Sequence, residues 1–489
     1  MGSNPESGKI LDVIIVGAGI SGINTAYYLQ TRGPKNSSYA ILERRGRIGG
    51  TWDLFQYPGV RSDSDVYTYG FSWNLWQGEK PISPGDEICA YLSESAAMEG
   101  IDKHIRFHQH IVSVDWSSES STWRVTSLVE PEEKEVTYCS KFLVLGTGYY
   151  DYDMPLPAII PGIDNFQGTV IQPQFWPEDL DYLDKNVVII GSGATAITLL
   201  PNIARDAGHV TMLQRSPSYI FPLPMKQLLP IRLLLAMLPL SVSGRIKRIE
   251  FAFLGYLLYY VCQYLPSVGR FFIRSAIKRE LPAGYDMDPN LTPRYNPWDQ
   301  RLCITPGGDF YAALRSTKAD IVTDVVSSMD SDSIRLQSGK VLRPDIIILA
   351  TGVKLSFAGK IKISVDGRPT DLSSKFSFKA CMVQDVPNLA FIIGYANASW
   401  TLGAEATSIF LARLWNAMES QKIKSVVARL APDTKMKEAS HLDLDSTYIK
   451  AGAHTMPKAG EGLWAPKRVY YKDLYTYSYH PVLEGLETR

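Results

Sequence analysis

The sequence predicts an α/β protein with two parallel-sheet domains and a helical insert, and three observations carry this prediction. Two glycine-rich turns, at 17–22 and 191–196, each separate an apolar strand-like run from a helical stretch. Two later apolar runs, 141–148 and 345–352, end in Thr-Gly, as further strands of the same sheets would. A long uncharged stretch occupies 251–269. A chain of 489 residues has room for two or three domains.

The composition is that of an ordinary globular chain, with 45% hydrophobic and 20% charged residues. Its 50 Lys and Arg balance 50 Asp and Glu, which argues against nucleic acid as a partner because phosphate binding needs surplus basic residues. The five cysteines form no CxxC pair, which disfavours disulfide-reductase chemistry and favours a reducing compartment. Residues 1–10 are polar and show no targeting signal, so we expect a cytoplasmic location.

The first glycine-rich turn has the pattern of a dinucleotide-binding site. A strand-like run leads into Gly17-x-Gly19-x-x-Gly22, and a helix follows. In such turns the first glycine allows the bend, the second admits a pyrophosphate, and the third allows the helix to pack on the strand. The free N–H groups of the helix N-terminus attract the phosphates. The next strand ends in Glu43, which suits a ribose hydroxyl, so this site fits FAD.

The second glycine-rich turn predicts an NADPH site. It reads Gly191-x-Gly193-x-x-Ala196, again between a strand and a helix. The strand that follows ends in Gln214 and Arg215 rather than in an acid, and arginine accommodates a 2′-phosphate. The two turns together indicate two Rossmann-like dinucleotide-binding domains. NADPH can pass a hydride to FAD, which then carries the redox chemistry.

The order of these motifs predicts that the second domain is inserted into the first. We expect residues 1–150 to form the first part of the FAD-binding domain. Residues 151–345 would form the NADP-binding domain, with a helical insert at 222–290, and residues 346–489 the second part of the FAD-binding domain and a C-terminal segment. A helix is predicted at about 403–421.

The helical insert is unusually apolar. Residues 228–242 carry a single charge and 251–269 carry none, with basic residues on both sides of the latter. We interpret the insert as a cover over a substrate cleft. The alternatives are peripheral membrane contact through 228–269, and a membrane span, although Gln263 and Pro266 interrupt the run.

No metal site is expected. His108 and His110 would share one face of a predicted strand, but no cluster of Cys, Asp or Glu accompanies them. Zinc sites need three or four such ligands. We therefore interpret the two histidines as surface or packing residues.

Seven further motifs occur along the chain. They are GGTW at 49–52, YPGVRSDSD at 57–65, FWPEDLDY at 175–182, VTMLQRSP at 210–217, RYNPWDQRLC at 294–303, ILATG at 348–352 and NASWTL at 397–402. With the two glycine-rich turns they resemble the class B flavin-dependent monooxygenases, which include the Baeyer–Villiger and flavin-containing monooxygenases, and especially the ethionamide-activating branch. The resemblance implies an NADPH- and O2-dependent flavoprotein monooxygenase that works through a C4a-peroxyflavin.

The resemblance implies roles for two charged residues. Arg301 matches the arginine whose fixed positive charge stabilises the peroxide anion in this family. Asp63 matches the carboxylate that positions this arginine, and Asp65 is a nearby competitor for that role. Many Baeyer–Villiger enzymes have lysine where this chain has Gln300, which leaves more of the preference for NADPH to Arg215.

Residues that would contact the two cofactors follow from the glycine-rich turns and from the resemblance. For FAD they are Gly17, Gly19, Ser21, Gly22, Glu43, Gly50, Thr51, Trp52, Asp53, Asp63, Tyr69 and Ile111. For NADPH they are Arg61, Ser62, Asp63, Gly191, Ser192, Gly193, Ala194, Thr195, Ala196, Ile197, Arg215, Ser216, Gln300 and Arg301.

One position departs from the family fingerprint FxGxxxHxxxW. The chain has Phe166, Gly168, Gln172 and Trp176, and glutamine cannot carry a proton at neutral pH.

We expect oxygen insertion into small apolar ketones, giving esters or lactones, oxidation of sulfides, or both. The alternatives are N- or S-hydroxylation without ketone chemistry, a two-site reductase, and a catalytically degenerate flavoprotein.

Overall fold

The computed structural model describes residues 9–225, 235, 237–431, 434–442 and 444–489. The strands in its first half are β1 (Ile10–Val16), β2 (Tyr39–Leu42), β3 (Ile105–Arg106), β4 (Gln109–Ser117), β5 (Thr122–Val129), β6 (Lys134–Leu145), β7 (Thr169–Ile171), β8 (Asn186–Ile190), β9 (His209–Gln214) and β10 (Ile220–Leu223). The later strands are β11 (Cys303–Pro306), β12 (Ala319–Thr323), β13 (Val326–Met329), β14 (Ile334–Leu336), β15 (Val341–Leu342), β16 (Ile346–Leu349), β17 (Lys362–Val365), β18 (Arg368–Pro369), β19 (Ser377–Phe378), β20 (Met382–Val383), β21 (Leu389–Phe391), β22 (Val426–Ala428) and β23 (Leu486–Thr488).

The α-helices are distributed over the whole described chain. They are α1 (Ile20–Arg32), α2 (Thr51–Leu54), α3 (Val66–Tyr69), α4 (Gly85–Met98), α5 (Ala194–Ile203), α6 (Leu240–Tyr264), α7 (Pro266–Glu280), α8 (Asp309–Arg315), α9 (Trp400–Ser420), α10 (Thr447–Gly452) and α11 (Tyr470–Tyr479). The helix predicted at about 403–421 is therefore observed as α9, which begins three residues earlier, at Trp400.

The first sheet combines strands from distant parts of the chain. Its parallel core has the order β3-β2-β1-β6-β21, so β1 lies in the centre. Strands β4, β5 and β6 pair antiparallel, and β17 joins β4 in parallel. Strands from 10–145 and from 362–391 thus share one sheet, and the first glycine-rich turn lies at the carboxyl end of its central strand.

The second sheet is a five-stranded parallel sheet with the order β12-β9-β8-β16-β7. Strand β8 leads into the second glycine-rich turn, and α5 leaves it. Strand β16 pairs with β7 and β8, so this sheet continues past residue 345, the expected domain boundary. The prediction of an α/β protein with two Rossmann-like units and a helical insert is confirmed.

Close backbone contacts explain the glycines of both turns. A Cβ atom on Gly22 would lie 1.9 Å from the carbonyl oxygen of Gly17, because α1 crosses so near β1. Gly191 has φ +141°, and a Cβ there would lie 2.1 Å from the carbonyl oxygen of Ala350. A side chain at Gly22 would force α1 away from β1, and one at Gly191 would force the second turn away from the end of β16.

Helices α1 and α9 pack together against the first sheet. Their apolar side chains, such as Ile23 and Phe410, belong to one buried cluster. The Asn24 Nδ2 donates to Ser408 Oγ at 3.3 Å inside this contact. Each fully buried Ile or Phe side chain stabilises the fold by roughly 1.5–3 kcal/mol. The packing fixes the N-terminus of α9 beside the first glycine-rich turn.

The apolar insert forms a pair of helices rather than one continuous helix. Chain direction breaks at Leu265 (φ −130°, ψ 59°), and Pro266 starts α7, so the uncharged run 251–269 is divided between α6 and α7. In the described part of the chain no helix has the length and hydropathy needed to cross a bilayer. Much of the apolar stretch 228–242 lies outside the described residues.

The predicted pairing of two histidines on one strand face is wrong. His108 has φ +59° and lies in the turn before β4, whereas His110 lies within β4. The Nδ1 of His110 is 3.8 Å from Glu130 Oε1. Within the described ranges no group of three or more His, Cys, Asp or Glu side chains is arranged to hold a metal ion.

Candidate active site between the two glycine-rich turns

A cavity of about 340 Å³ lies where the parallel strands of the first sheet end. Both glycine-rich turns reach it, which is expected because ligands bind at the carboxyl edge of such sheets. The predicted site residues that line it are Gly17, Gly19, Ser21, Glu43, Gly50, Thr51, Trp52, Arg61, Asp63, Tyr69, Ile111, Ala194, Thr195 and Arg301. Residues from widely separated motifs therefore share one cavity.

Other predicted site residues do not line this cavity. They are Gly22, Asp53, Ser62, Gly191, Ser192, Gly193, Ala196, Ile197, Arg215, Ser216 and Gln300. Asp53 is buried and forms ion pairs with Arg45 and, at 2.8 Å, with Arg47. Ser62 is also buried, and its Oγ accepts from the Ser83 N–H at 3.3 Å. The side chains of Asp53 and Ser62 thus support the loops around the cavity.

The end of β9 separates a buried glutamine from an exposed arginine. Gln214 is buried, and its Nε2 donates to the Asn290 carbonyl at 2.7 Å and to Thr323 Oγ1 at 2.8 Å. Arg215 follows and is exposed. Gln214 therefore has a structural role, whereas Arg215 lies on the surface, where it can contact a ligand.

Glu43 is fixed at the cavity wall by the backbone. Its Oε2 accepts from the Ala18 N–H at 2.6 Å, and its Oε1 accepts from the Arg45 N–H at 2.8 Å. The residue is only 5% exposed, and burial raises its pKa above the ordinary value, although these two N–H groups counteract the rise. Each carboxylate oxygen has a second lone pair, so Glu43 can still accept from a ribose hydroxyl. Its placement beside Gly17 and Gly19 fits an adenine dinucleotide.

Two stacked aromatic rings form a further part of the cavity wall. Tyr149 and Trp400 are stacked, with ring centroids 4.9 Å apart and planes inclined by 14°. The Nε1 of Trp400 donates to Ser21 Oγ at 2.9 Å. Tyr149 lies four residues after the end of β6 at Leu145, which was a usable signal because parallel strand ends converge at the site. The sequence pointed to Trp400 through the motif NASWTL at 397–402, whereas Tyr149 had no predicted site role.

The loop 57–65 lies between the cavity and α5. Tyr57 lines the cavity and is hydrogen-bonded to Thr195; burial raises its pKa to about 12, and this hydrogen bond counteracts the rise. A Cβ on Gly59 would lie 2.0 Å from Asn202 Nδ2, which explains the glycine there. The loop therefore contacts α5 at two points, a role that its sequence did not reveal.

Arg301 is held at the cavity by Asp63. The Nε of Arg301 lies 3.0 Å from Asp63 Oδ2, one terminal nitrogen donates to Oδ1 at 3.3 Å, and the other donates to the Ala396 carbonyl at 3.1 Å. Burial lowers the pKa of Arg301, but the charge of Asp63 and the nearby Tyr149 raise it by more than burial lowers it. The net pKa of Arg301 therefore lies above its ordinary value. The side chain is 26% exposed, towards the cavity that it lines. A permanent positive charge therefore faces this space.

Asp65, the competing carboxylate, has a different task. It caps α3, where its Oδ1 accepts from the Thr68 N–H at 2.7 Å and its Oδ2 accepts from Thr68 Oγ1 at 2.6 Å. Burial raises its pKa above the ordinary value, and the bonds to Thr68 counteract the rise. The geometry places Asp63, not Asp65, against Arg301.

A second ion pair lies next to the first and has the opposite polarity. Arg61 binds Asp309 through one terminal nitrogen to Oδ2 and through the other to Oδ1 at 3.4 Å. Asp309 also accepts from the Phe310 N–H at 2.8 Å, at the start of α8. The short segment that contains Arg61 and Asp63 is therefore bound to the 301–309 segment by two pairs.

The fingerprint segment joins the cavity wall through a neighbour of the substituted position. Gln172 is half-buried, and its carbonyl accepts from the Phe175 N–H at 2.9 Å. Gln174 is buried, and its Nε2 donates to the Asp151 carbonyl at 2.6 Å. The Asp151 carboxylate is buried against Lys354 at 3.1 Å and Lys360 at 2.6 Å. Burial raises the pKa of Asp151, but the two lysines lower it more, so the net pKa is below the ordinary value.

Comparison with known proteins defines the class of this chain. Residues 15–81 match the NAD(P)-binding Rossmann-like domain, and residues 82–242 match the flavin-binding monooxygenase-like family. The chain belongs to this family of flavin-binding monooxygenases. Its similarity extends along nearly the whole chain to the FAD-containing monooxygenase EthA of Mycolicibacterium smegmatis, with 41% identity over 475 residues, 97% of this chain and 96% of that protein.

Solved structures share the fold. A steroid monooxygenase bound to NADP superposes with a TM-score of 0.76 at 20% identity, over 98% of this chain and 99% of that chain. The complex of OTEMO with FAD and NADP has a TM-score of 0.72 at 17% identity, over 98% and 100%. The predicted resemblance to flavin monooxygenases is confirmed. The predicted cofactors FAD and NADP(H) are confirmed too, since the two matching families are described as flavin-binding and NAD(P)-binding.

Proposed function

We propose that this protein is an NADPH- and O2-dependent FAD monooxygenase that oxidises small apolar carbonyl or sulfide compounds. The observation that carries the proposal is the position of Arg301, which Asp63 holds at a cavity reached by both glycine-rich turns. A fixed positive charge at this place can stabilise an anion that develops during oxygen transfer. The reaction class is consistent with the family to which the chain belongs.

The proposal assigns one cofactor to each glycine-rich turn. Gly17, Gly19 and Glu43 would hold the pyrophosphate and ribose of FAD, and residues 1–150 with those that follow β16 would form its domain. Residues 151–345 and strand β16 would form the NADP-binding domain. FAD, once bound there, would supply the redox chemistry that couples NADPH oxidation to O2.

The NADPH site would extend from the cavity to the protein surface. Ala194 and Thr195 begin α5 and line the cavity, so the free N–H groups at this end of the helix are available to phosphate oxygens. Arg215 is exposed after β9, where a 2′-phosphate would be recognised. Gln300 lies next to Arg301 and supplies no charge, so we assign the preference for NADPH to Arg215.

The chain's own groups would position the reaction and exclude water. Arg301 supplies the charge, and Asp63 fixes the direction of its guanidinium group. The stacked rings of Tyr149 and Trp400 cover one side of the cavity with apolar surface. Removing water from such a site strengthens the interaction between Arg301 and a developing anion.

Two oxygen-transfer outcomes remain in the proposal, because Gln172 replaces the fingerprint histidine. Glutamine can donate and accept hydrogen bonds but cannot transfer a proton at neutral pH. The neighbouring Gln174 keeps the segment attached to Asp151, which supports an intact site despite the replacement. We therefore propose ketone oxidation first, and N- or S-oxidation without ketone chemistry second.

A paired assay tests the proposal. Purified, FAD-loaded protein is given NADPH, O2 and either a small cyclic ketone or an aryl methyl sulfide, and products are measured together with hydrogen peroxide. Ester or lactone from the ketone supports the first outcome, whereas sulfoxide with no ester from any ketone supports the second. If NADPH consumption gives only hydrogen peroxide with every substrate, the protein is not a monooxygenase and the proposal fails.

Peripheral membrane contact through the insert is a further part of the proposal. Of the residues in 228–269 that the structure describes, those of α6 and the start of α7 would make this contact.

A further inference from the structure

The outward side of α6 is apolar along its whole length. Exposed apolar side chains recur there every three or four residues, a spacing that places them on one side of a helix with 3.6 residues per turn. They are Val242, Ile246, Ile249, Phe253, Leu257, Tyr260 and Tyr264. Ile249 is 63% exposed and Phe253 is 62% exposed. A surface helix normally turns such a stripe towards the core.

Helix α7 extends this surface. Its exposed apolar residues begin directly at the break between the helices and continue for nearly two turns. They are Leu265, Val268, Phe271 and Phe272. We call these four residues and the seven on α6 the apolar face. Contiguous apolar surface of this kind marks a contact site with another molecule.

The apolar face cannot turn inwards, because the other side of α6 is anchored. Arg248 is buried there, and its guanidinium donates to Glu405 Oε2 at 2.8 Å and to the Gly70 carbonyl at 2.7 Å. About two turns further along the helix, the hydroxyl of Tyr256 accepts from the Tyr470 N–H at 2.8 Å. These polar contacts fix the rotation of the helix about its axis.

The charges on the two helices are predominantly basic. The acidic residues of α6 and α7 are Glu250 and Glu280, and the basic residues are more numerous. They are Arg245, Lys247, Arg270, Arg274, Lys278 and Arg279, besides Arg248, which is bound to Glu405 on the inner side of α6. Each basic side chain near an anionic lipid surface contributes about 1 kcal/mol of attraction. Tyrosine rings such as Tyr260 and Tyr264 are favoured at the boundary between lipid and water.

We propose that the apolar face binds the surface of a membrane that contains anionic lipids. A bilayer of this kind offers apolar acyl chains to the apolar side chains and negative headgroups to the basic ones. A second copy of the chain in a two-fold dimer would instead bring identical basic surfaces together. This proposal deepens the membrane contact included in the proposed function and rests on it, but it is independent of the oxygenation reaction, since it concerns a surface outside the cavity.

Cosedimentation with vesicles tests the proposal on the full-length, FAD-loaded protein. One vesicle preparation contains phosphatidylcholine alone, and the other contains phosphatidylcholine mixed with phosphatidylglycerol. We expect binding to the mixed vesicles that weakens by about tenfold or more at high salt, because salt screens the headgroup charge. Absence of binding to the mixed vesicles, or equal binding to both preparations, would overturn the proposal.

Two pairs of substitutions locate the contact. Ile249→Ser with Phe253→Ser removes two exposed side chains of the apolar face, and we expect affinity for the mixed vesicles to fall by about tenfold or more. Ile159→Ser with Leu183→Ser is the matched control, because these residues are also exposed, at 98% and 60%, but lie outside the two helices. If both pairs lower binding equally, the apolar face is not the contact site.

The oligomeric state separates a lipid surface from a second copy as the occupant. Light scattering at the assay concentration should give the same mass for the wild-type protein and for the Ile249→Ser, Phe253→Ser variant. A wild-type dimer that this variant dissociates would assign the face to protein association and overturn the proposal. NADPH oxidation by the variant at the wild-type rate would show that it is folded and loaded with cofactor.

Discussion

Arg61 pairs with Asp309 immediately beside the pair that Asp63 makes with Arg301, and the two pairs have opposite polarity. The loop thus contributes one positive and one negative side chain, and the facing segment contributes their counterparts. Such an arrangement specifies the register between the two segments, since a slipped register would place like charges together. It suggests that the Arg61–Asp309 pair determines where Arg301 lies in the cavity.

Asp309→Asn should lower the yield of oxygenated product per NADPH consumed by roughly two- to tenfold. The Arg61 guanidinium then loses its partner's charge, the loop that carries Asp63 loosens, and Arg301 is positioned less accurately. Product and hydrogen peroxide are measured together. Asp332→Asn, which breaks an exposed pair with Arg343, serves as the control. Unchanged product yield in Asp309→Asn would remove the pair from this positioning role.

Arg301→Ala should lower oxygenation by about 10²–10³-fold, the usual effect of removing a group that stabilises a developing anion. FAD should remain bound, because Glu43 and the first glycine-rich turn are unaffected. NADPH should still be consumed, with hydrogen peroxide as the product. Arg294→Ala is the control, since Arg294 is exposed on the same segment. Full product formation by Arg301→Ala would contradict the role assigned to Arg301.

Arg215→Gln should raise the KM for NADPH by roughly ten- to a hundredfold while leaving the KM for NADH nearly unchanged. The physical reason is the loss of charge-assisted hydrogen bonds to a 2′-phosphate, which NADH lacks. Steady-state oxidation of the two nucleotides provides the measurement. The control is Arg205→Gln, since Arg205 is also exposed and lies between α5 and β9; this substitution should change neither KM. An equal effect on NADPH and NADH would place the 2′-phosphate elsewhere.

His441 should make the protein sensitive to acid. Burial lowers its pKa from 6.5 to about 3, with the Lys467 charge acting in the same direction. The unfolded chain therefore binds a proton near pH 6.5 that the folded protein does not take up until about pH 3, so stability falls as the pH decreases between these values. The slope attributable to this residue approaches about 1.4 kcal/mol per pH unit.

His441→Gln should remove this part of the acid sensitivity while retaining a partner for Ser377, whose Oγ lies 2.8 Å from His441 Nε2. Urea unfolding at several pH values gives the free energy of unfolding for both proteins. His454→Gln is the control, because His454 is exposed. A parallel pH dependence in wild type and His441→Gln would mean that His441 is protonated in the folded protein.

The sequence was sufficient to predict the sheets because their signals are local. Each glycine-rich turn lies between an apolar strand and a helix, and the reason for a glycine such as Gly22 is a backbone contact within a few residues. Glu43 could also be placed, since it ends the strand next to β1. The roles of Asp63 and Arg301 were predicted only from the family resemblance, because their contact joins two segments that are distant in the chain.

Other features depend on tertiary contacts that no local pattern records. Asp53 has the motif position of a cofactor ligand, yet it does not line the cavity, and its carboxylate forms ion pairs with Arg45 and Arg47. Tyr149 and Trp400 form a wall only because α9 packs beside the first turn. The backbone break at Leu265, by contrast, lies between Gln263 and Pro266, the two residues that interrupt the uncharged run 251–269 in the sequence.

The hydrogen bond between Trp400 and Ser21 joins residues that are 379 positions apart in the chain. During synthesis on the ribosome, the first glycine-rich turn emerges long before the tryptophan that completes its wall. The nascent N-terminal part can form strands β1 and β2 but must keep this side of the turn open until α9 has been made. A chain that terminates before residue 400 would therefore lack a finished cofactor site even if its first strands were correctly folded.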